Sequence, residues 1–81
     1  MKERTEYILE TAVEDFIHTG FPVTSEILYE NHVFGIKPAM IRLELSALSD
    51  DGFLFQRHPS GGRFPTNKAY QFFVERLLGR E

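Results

Sequence analysis

Apolar residues recur at helical spacing near the start of the chain and predict an amphipathic first helix over residues 2–18. The acidic residues of this segment fall off the apolar stripe, so we expect them to stay in water. Gly20 is suited to end the helix, and Phe21-Pro22 then favours an extended exit. The side chains expected to face the core are Ile8, Leu9, Ala12, Val13, Phe16 and Ile17.

A second, shorter helix is predicted over residues 25–32. Either Thr24 or Ser25 can accept hydrogen bonds from its free amides, and Glu26 suits its positive first turn. This helix is expected to bury Ile27 and Leu28. The preceding Pro22-Val23 is long enough for only a single strand-like pairing.

A third helix is predicted over residues 38–50, because Pro38 lacks the amide that would be unpaired in a first turn. The spacing of Ile41, Leu45 and Leu48 directs them to the core. Helices two and three, joined by a tight turn, form a helix-turn-helix whose second member would enter a major groove. The opposite side of the third helix presents Ala39, Met40, Arg42, Leu43 and Ser46.

A hairpin is predicted over residues 53–65, followed by a fourth helix over 67–78. Gly61 and Gly62 suit positive φ at a tight turn, and Pro65 fits an edge strand. Thr66 can cap the last helix, and Gly79 closes it. The apolar stripe of this helix comprises Tyr70, Phe73, Val74 and Leu77, and the two terminal helices are expected to pack together.

The predicted fold is therefore mainly α with a small β-hairpin. The order of elements is that of a winged helix-turn-helix: three helices, a hairpin wing and a C-terminal helix. From the shape alone, an ordinary surface hairpin is an equally open interpretation, because a Gly-Gly turn is weak evidence.

Length and composition limit the possibilities further. The 81 residues suffice for one domain with one core. The chain has no cysteine, which excludes disulfides and thiolate metal sites and is compatible with the cytoplasm that we expect. No signal peptide or membrane-spanning run is indicated.

Charge is distributed unevenly along the chain. The net charge is −3, whereas nucleic-acid-binding proteins usually carry a positive footprint. Residues 1–30 contain two basic and seven acidic groups, and residues 31–81 contain seven basic and five acidic groups, giving −5 and +2. No acidic residue occurs between Phe53 and Val74, so one basic face remains available.

Enzymatic interpretations find little support in the sequence. His18, His32 and His58 follow no metal-ligand spacing, and we expect neither a metal nor another cofactor. Ser60 near His58 lacks the orienting acid and oxyanion hole of a nucleophilic pair. We therefore expect a protein that is not an enzyme.

Several short motifs are more specific than this outline. They are His58-Pro59-Ser60-Gly61-Gly62-Arg63-Phe64-Pro65-Thr66 followed by Tyr70, Pro22-Val23-x-Ser25, Ala39-x-Ile41-Arg42, and Leu48 followed by Gly52-Phe53-Leu54. Together they resemble the HrcA-type heat-inducible transcription repressors of bacteria, over nearly the whole chain. The first motif resembles that family's His-Thr-Ser-Ala-Gly-Arg-Ile-Pro-Thr signature.

The resemblance implies an N-terminal winged-helix domain that binds an inverted-repeat operator as a dimer and represses chaperone genes. In the family a larger sensing and dimerisation region follows, so the chain is expected to be an excised domain or a minimal relative. Lys37, Met40 and Leu43 stand where the family typically has Ser, Thr and Asn. The recognition surface is therefore expected to differ chemically from the family's.

Each candidate DNA contact has a structural alternative. Arg42 could contact phosphate or guanine, or pair with Glu44, Glu30 or Asp50; Arg63 could reach the minor groove or pair with an acid on a helix. His58 could brace the hairpin, and Lys68 could simply be solvated. The predicted DNA-binding residues are Ser25, Lys37, Ala39, Met40, Arg42, Leu43, Ser46, Arg57, His58, Ser60, Gly61, Gly62, Arg63 and Lys68.

The leading hypothesis is a DNA-binding transcriptional regulator, with double-stranded DNA as partner and a homodimer on the operator. The alternative is a winged helix that contacts protein through an apolar patch of Met40 and Leu43, with DNA binding weak or lost.

Overall fold

The computed structural model describes residues 1–79 and has the architecture of a winged helix. The helix bounds differ from those predicted by at most one residue at either end. In chain order the elements are α1 (Glu3–Thr19), α2 (Ser25–Asn31), α3 (Pro38–Asp50), β1 (Leu54–Gln56), β2 (Arg63–Pro65) and α4 (Asn67–Leu78).

One hydrophobic cluster unites all four helices with the hairpin. Helix α3 contributes the three residues predicted from its spacing, and α1 contributes four of the six that were expected to be buried. Each large side chain buried in this way stabilises the fold by roughly 1.5–3 kcal/mol. The cluster comprises Ile8, Leu9, Ala12, Val13, Val23, Leu28, Ile41, Leu45, Leu48, Leu54, Ala69 and Phe73.

The helix ends follow the predicted local chemistry. Gly20 adopts φ 73° and donates its backbone N–H to the Phe16 carbonyl at 2.8 Å. Thr24, rather than Ser25, caps α2, since its hydroxyl accepts from the Ile27 amide at 3.1 Å. Helix α3 begins at Pro38 as predicted, and the Thr66 hydroxyl accepts from the Ala69 amide at the start of α4.

The sheet fixes the hairpin against the rest of the molecule. Strands β1 and β2 pair antiparallel with Leu54 opposite Pro65 and Gln56 opposite Arg63. Val23 adds a single bridge to the other edge of β2, exchanging two backbone hydrogen bonds of 2.8 Å with Arg63. This confirms the predicted single strand-like pairing before α2.

The predicted tight Gly-Gly turn is wrong. Residues 57–62 form a longer loop between the strands, and neither Gly61 nor Gly62 has positive φ. Gly62 is instead required by space, because a Cβ there would lie 2.8 Å from the Pro22 Cβ and 3.0 Å from the Val23 carbonyl oxygen. The Val23 bridge therefore brings the chain so close that a side chain at position 62 has no room.

Two apolar residues expected in the core lie on the surface. Ile17 is more than half exposed because it falls at the edge of the α1 stripe, about 100° from its centre. Ile27 is also exposed: α2 has only two turns, and it buries Leu28 and Ser25 instead.

Helix α4 is turned by about one residue from the predicted orientation. Phe73 is buried as expected, but Val74 and Leu77 are about half exposed. Ala69 and Phe73 are the buried residues of α4, and the half-buried Arg76 on the same side of the helix interacts with α1. The terminal helices do pack together, as predicted, but through a stripe that includes a cation.

The prediction that the acidic face of α1 stays in water is also wrong for three of its residues. The Arg76 guanidinium donates to Glu10 at 3.1 Å and to Glu6 at 3.3 Å. Asp15 accepts from the His32 ring Nε2 at 2.9 Å. Part of the negative charge of the chain is therefore used to hold α4 and the end of α2 against α1.

Candidate nucleic-acid interface

Helix α3 presents two different flanks to solvent. Arg42, Ser46 and Ser49 follow i, i+4, i+7 spacing and lie on the flank towards the hairpin. Met40 lies two residues, about 200°, before Arg42 and belongs to the other flank. The predicted outward face of α3 is therefore divided between two surfaces.

The flank towards the hairpin lines a groove of about 370 Å³, here called the wing groove. It brings together predicted contacts from three separate parts of the chain: the start of α2, the middle of α3 and the hairpin loop. The lining residues are Val23, Thr24, Ser25, Glu26, Arg42, Leu45, Gln56, Pro59, Ser60, Gly61, Gly62 and Arg63.

Arg63 joins the hairpin to α3. Its guanidinium Nη1 donates a short hydrogen bond to the Ser49 hydroxyl, and Nη2 donates to the Ser46 hydroxyl at 3.1 Å. The partner that the sequence suggested, an acid on a helix, is thus replaced by two hydroxyls. Ser46 is therefore engaged by Arg63 rather than presented freely to a ligand.

The electrostatics of Arg63 reflect this position. Burial lowers the pKa of its guanidinium from the ordinary value, and the nearby Asp50 carboxylate opposes that shift. An arginine with a lowered pKa remains charged at neutral pH, because the ordinary value is far above 7. Arg63 therefore contributes a positive charge to the lining of the wing groove.

Arg42 is exposed and lies in the same groove as Arg63. Among residues 1–79 the arginines and lysines in ion pairs with carboxylates are Arg4 and Arg76. The Glu44 carboxylate, one of the suggested partners of Arg42, instead accepts from Arg4 and Thr5. Within the described chain the Arg42 guanidinium is therefore available for an external acceptor.

The hairpin loop is held by a residue that the sequence analysis missed. The Gln56 side-chain amide donates to the Gly61 carbonyl at 2.7 Å and to the Pro59 carbonyl at 3.4 Å. Strand alternation places Gln56 on the face of the buried Leu54, which was the available signal. Arg57 lies with its guanidinium 4.5 Å from the centre of the Phe64 ring.

Other predicted contacts lie in or near the wing groove with differing exposure. Ser60 and Gly61 are exposed at the loop, and so is His58, whose carbonyl accepts from the Gly61 amide. Ser25 is only 5% exposed, and its hydroxyl donates to Glu26 at 3.2 Å. Ser25 therefore offers little surface to a ligand.

Five predicted contacts lie clearly outside the wing groove. Met40 and Leu43, 41% and 62% exposed, line a second depression with Met1 and Arg4 near the start of α1. Lys37 borders the turn before α3, and Ala39 is exposed on the first turn of that helix. The structure thus confirms that Met40 and Leu43 face outward but separates them from the wing groove.

Lys68 is the fifth contact outside the groove, and its side chain is held within the fold. Its ammonium group donates to the Asp51 carbonyl at 2.7 Å and lies 4.4 Å from the centre of the Phe53 ring. The side chain therefore ties the start of α4 to the end of α3.

Neither a metal site nor a membrane-spanning helix is found among the described residues. In residues 1–79, no three His, Cys, Asp or Glu side chains are grouped so that they could hold a metal ion. No helix in that range has both the length and the apolar character to cross a membrane.

Comparison with curated proteins gives consistent relatives. The chain is 44% identical over 79 residues to the heat-inducible transcription repressor HrcA of Parafrankia sp. (strain EAN1pec). It is 45% identical over 76 residues to that of Nocardioides sp. (strain ATCC BAA-499 / JS614) and 41% identical over 80 residues to that of Chloroflexus aggregans. These matches cover 98%, 94% and 99% of the chain.

The chain spans only 21–23% of the length of these relatives. No protein-family model matches it. Among solved structures, a crystal structure described as that of a hypothetical protein superposes with a TM-score of 0.92 at 30% identity. That match covers 98% of this chain and 24% of the other, and it supports the winged-helix fold.

Proposed function

Since the chain belongs with the N-terminal regions of the HrcA-type heat-inducible transcription repressors, we propose that it is the DNA-binding part of a transcriptional repressor. Helix α3 enters the major groove of an operator, and the hairpin contacts the adjacent backbone. The proposed partner is double-stranded DNA, bound by two copies on an inverted repeat. The regulated genes would be chaperone genes, as the family resemblance implies.

The observation that carries this proposal is the wing groove. It contains Arg42 on α3 and Arg63 on the hairpin, and within the described chain neither forms an ion pair with a carboxylate. Basic side chains, hydroxyls and backbone amides contact phosphate, whereas the side chains that reach base edges read the sequence. Arg42 and the hairpin loop supply these two kinds of group despite the acidic total.

Arg42 is proposed as the base-reading side chain. It is the sole basic residue of α3, and a free guanidinium can donate two hydrogen bonds to guanine N7 and O6. The exposed Ala39, three residues before Arg42, can contact only the methyl group of thymine. We therefore propose an operator half-site in which a guanine lies close to a thymine.

Selection from a pool of random-sequence duplexes at two salt concentrations tests the proposal. We expect one motif to be enriched, and Arg42→Ala to cost about 1–3 kcal/mol of binding with loss of preference at one guanine. Arg42→Lys keeps the charge but not the paired donors, so it should restore general affinity without restoring that preference.

Arg57→Ala is the control for a contact to phosphate. It should weaken binding to all sequences alike and lower the salt slope by about one. The absence of an enriched sequence for the unaltered chain, even at low salt, would refute the proposal.

Met40 and Leu43 favour a second candidate function, contact with another protein. They form an exposed apolar surface on the flank of α3 away from the wing groove. Such binding would be nearly insensitive to salt and abolished by Leu43→Glu, whereas phosphate-based binding weakens steeply with salt.

A further inference from the structure

We infer that Arg63 is a positioning residue that sets the hairpin relative to α3, rather than a contact to DNA. This inference rests on the proposed function, because the two surfaces that Arg63 joins are those proposed to bind the operator. It changes the role expected from the sequence, in which Arg63 was to reach DNA from the hairpin.

Several elements of the fold meet at Arg63. Its backbone exchanges two 2.8 Å hydrogen bonds with Val23, just before α2, and it faces Gln56 across the hairpin. Its side chain then reaches the Ser46 and Ser49 hydroxyls of α3. Hydrogen bonds of Arg63 therefore join the hairpin both to the segment before α2 and to α3.

The Arg63 side chain bonds α3 in a geometry that fixes its orientation. The two terminal nitrogens of the guanidinium bond separate hydroxyls on successive turns of α3, and the planar group allows only a narrow range of orientations for such a pair. Near Arg63, the Gln56 side chain holds the hairpin loop by donating to the Gly61 carbonyl. Gly62 leaves the space that Pro22 needs to approach the loop closely. The residues that surround Arg63 thus serve the same junction.

The charge of Arg63 is partly withdrawn from solvent. Arg63 is only partly exposed, unlike Arg42 and Arg57, which are both exposed. A side chain that already donates to two hydroxyls must break those bonds to reach a phosphate. Arg57 has only its contact with the Phe64 ring, and both Arg42 and Arg57 are more exposed than Arg63, so they are better placed to contact DNA directly.

The functional consequence is a fixed spacing between two contacts. Discrimination between operators requires that base contacts from α3 and backbone contacts from the hairpin form together, whereas non-specific binding requires only charge. Loosening the junction should lower discrimination while leaving the number of phosphate contacts unchanged.

Two variants test this from opposite sides of the junction. Arg63→Lys keeps the charge and loses the paired donors, while the double variant Ser46→Ala/Ser49→Ala keeps Arg63 and removes both acceptors. For each we expect the ratio of affinities for an enriched duplex and for a scrambled duplex to fall by about tenfold. The salt slope should equal that of the unaltered chain.

Arg57→Ala is the matched control, since it removes a hairpin cation that has no contact with α3. It should lower the salt slope by about one and leave the affinity ratio unchanged. The inference is overturned if the double variant keeps the original ratio. It is also overturned if Arg63→Ala behaves like Arg57→Ala, because that is the signature of a direct phosphate contact.

A measurement without DNA separates this inference from the proposed function. The chain has no cysteine, so spin labels at Ala47→Cys and Ser60→Cys report the distance between α3 and the hairpin loop. We expect a broader distance distribution in Arg63→Lys and in the double variant, but not in Arg57→Ala. An unchanged distribution overturns the inference, whatever the duplex selection shows. Thermal unfolding shows whether Arg63→Lys or the double variant fails to fold. If one of them does, the distance distribution of the other tests the inference.

Discussion

Gly62 shows how one residue can be required for a reason other than backbone conformation. Its φ is not positive, yet a Cβ would contact the Pro22 Cβ at 2.8 Å and the Val23 carbonyl at 3.0 Å. At Gly61 the nearest atoms lie at 3.5 Å and 3.8 Å, which are ordinary contacts. Two adjacent glycines in one loop therefore have different structural roles.

We expect Gly62→Ala to lower the free energy of unfolding by about 1–3 kcal/mol, because the added methyl group forces the Pro22 segment away from the hairpin. Gly61→Ala should be neutral or slightly stabilising, since it restricts only the unfolded chain. Urea unfolding monitored by circular dichroism measures both. Equal effects of the two substitutions would contradict the close approach described for position 62.

Arg42 and Arg63 show how two similar residues are given different roles by their surroundings. Both are cations of the wing groove, but one is exposed while the other holds two serines of α3. The sequence singled out both as DNA contacts because each occurs in a motif of the resembled family. Only the contacts of Arg63 with Ser46 and Ser49 distinguish them.

Helix α4 is coupled to the elements before it through its capping residue, Thr66. The Thr66 hydroxyl accepts from the Ala69 amide at 3.4 Å and donates to the Gly52 carbonyl at 2.6 Å. The same hydroxyl thus starts α4 and holds the chain that leaves α3. Lys68 strengthens this connection through its bond to the Asp51 carbonyl.

Thr66→Ala is expected to lower the free energy of unfolding by about 1–2 kcal/mol, through loss of the helix cap and of the bond to Gly52. Thr66→Ser keeps the hydroxyl and should retain most of that stability. Thermal unfolding of the two variants measures the difference. If serine proved no better than alanine, the hydroxyl would not be the stabilising group.

The orientation of α4 shows how tertiary contacts select one helix face among several. The spacing of Tyr70, Val74 and Leu77 indicates one apolar face, but the buried face lies about one residue earlier. The bonds from Arg76 to α1, together with the edge contact between the Phe53 and Phe72 rings, favour that face.

The first and last helices together close the core of the molecule. Phe73 reaches the cluster that contains Ile8 and Leu9. Arg76 adds hydrogen bonds to Glu6 and Glu10, 66 to 70 residues away along the chain. The fold therefore depends on a contact between its two most distant helices.

Phe73→Ala should cost about 3–5 kcal/mol of unfolding free energy, a large part of the total stability of a small domain. Its neighbour Val74 is half exposed, so Val74→Ala should change the value by no more than about 0.5 kcal/mol. Guanidinium unfolding of both variants measures the contrast. Similar costs would mean that α4 packs through the face predicted from the sequence instead.

The total charge illustrates the same dependence on the whole molecule. An acidic chain was compatible with a DNA-binding surface only if its charges separated in space. In the folded chain, three carboxylates are paired with arginines that do not line the wing groove: Glu6 and Glu10 accept from Arg76, and Glu44 accepts from Arg4. Within the described chain, neither Arg42 nor Arg63 of the wing groove forms an ion pair with a carboxylate.

The sequence by itself determined the order and the bounds of the helices, because these depend on local chemistry. Pro38 begins α3, Gly20 ends α1, and the spacing of Ile41, Leu45 and Leu48 fixes the inner face of α3. The motifs around the hairpin also sufficed to indicate the family. Each of these inferences needs only neighbours within a few turns.

Tertiary structure alone decided which side chains meet across the fold. Nothing local indicates that Arg63 donates to Ser46 and Ser49, that Gly62 makes room for Pro22, or that α4 turns towards Arg76. These contacts join residues far apart in the chain, and their energies depend on packing that a periodic pattern does not specify. For this reason the fold could be predicted from spacing, whereas the division of roles within the wing groove could not.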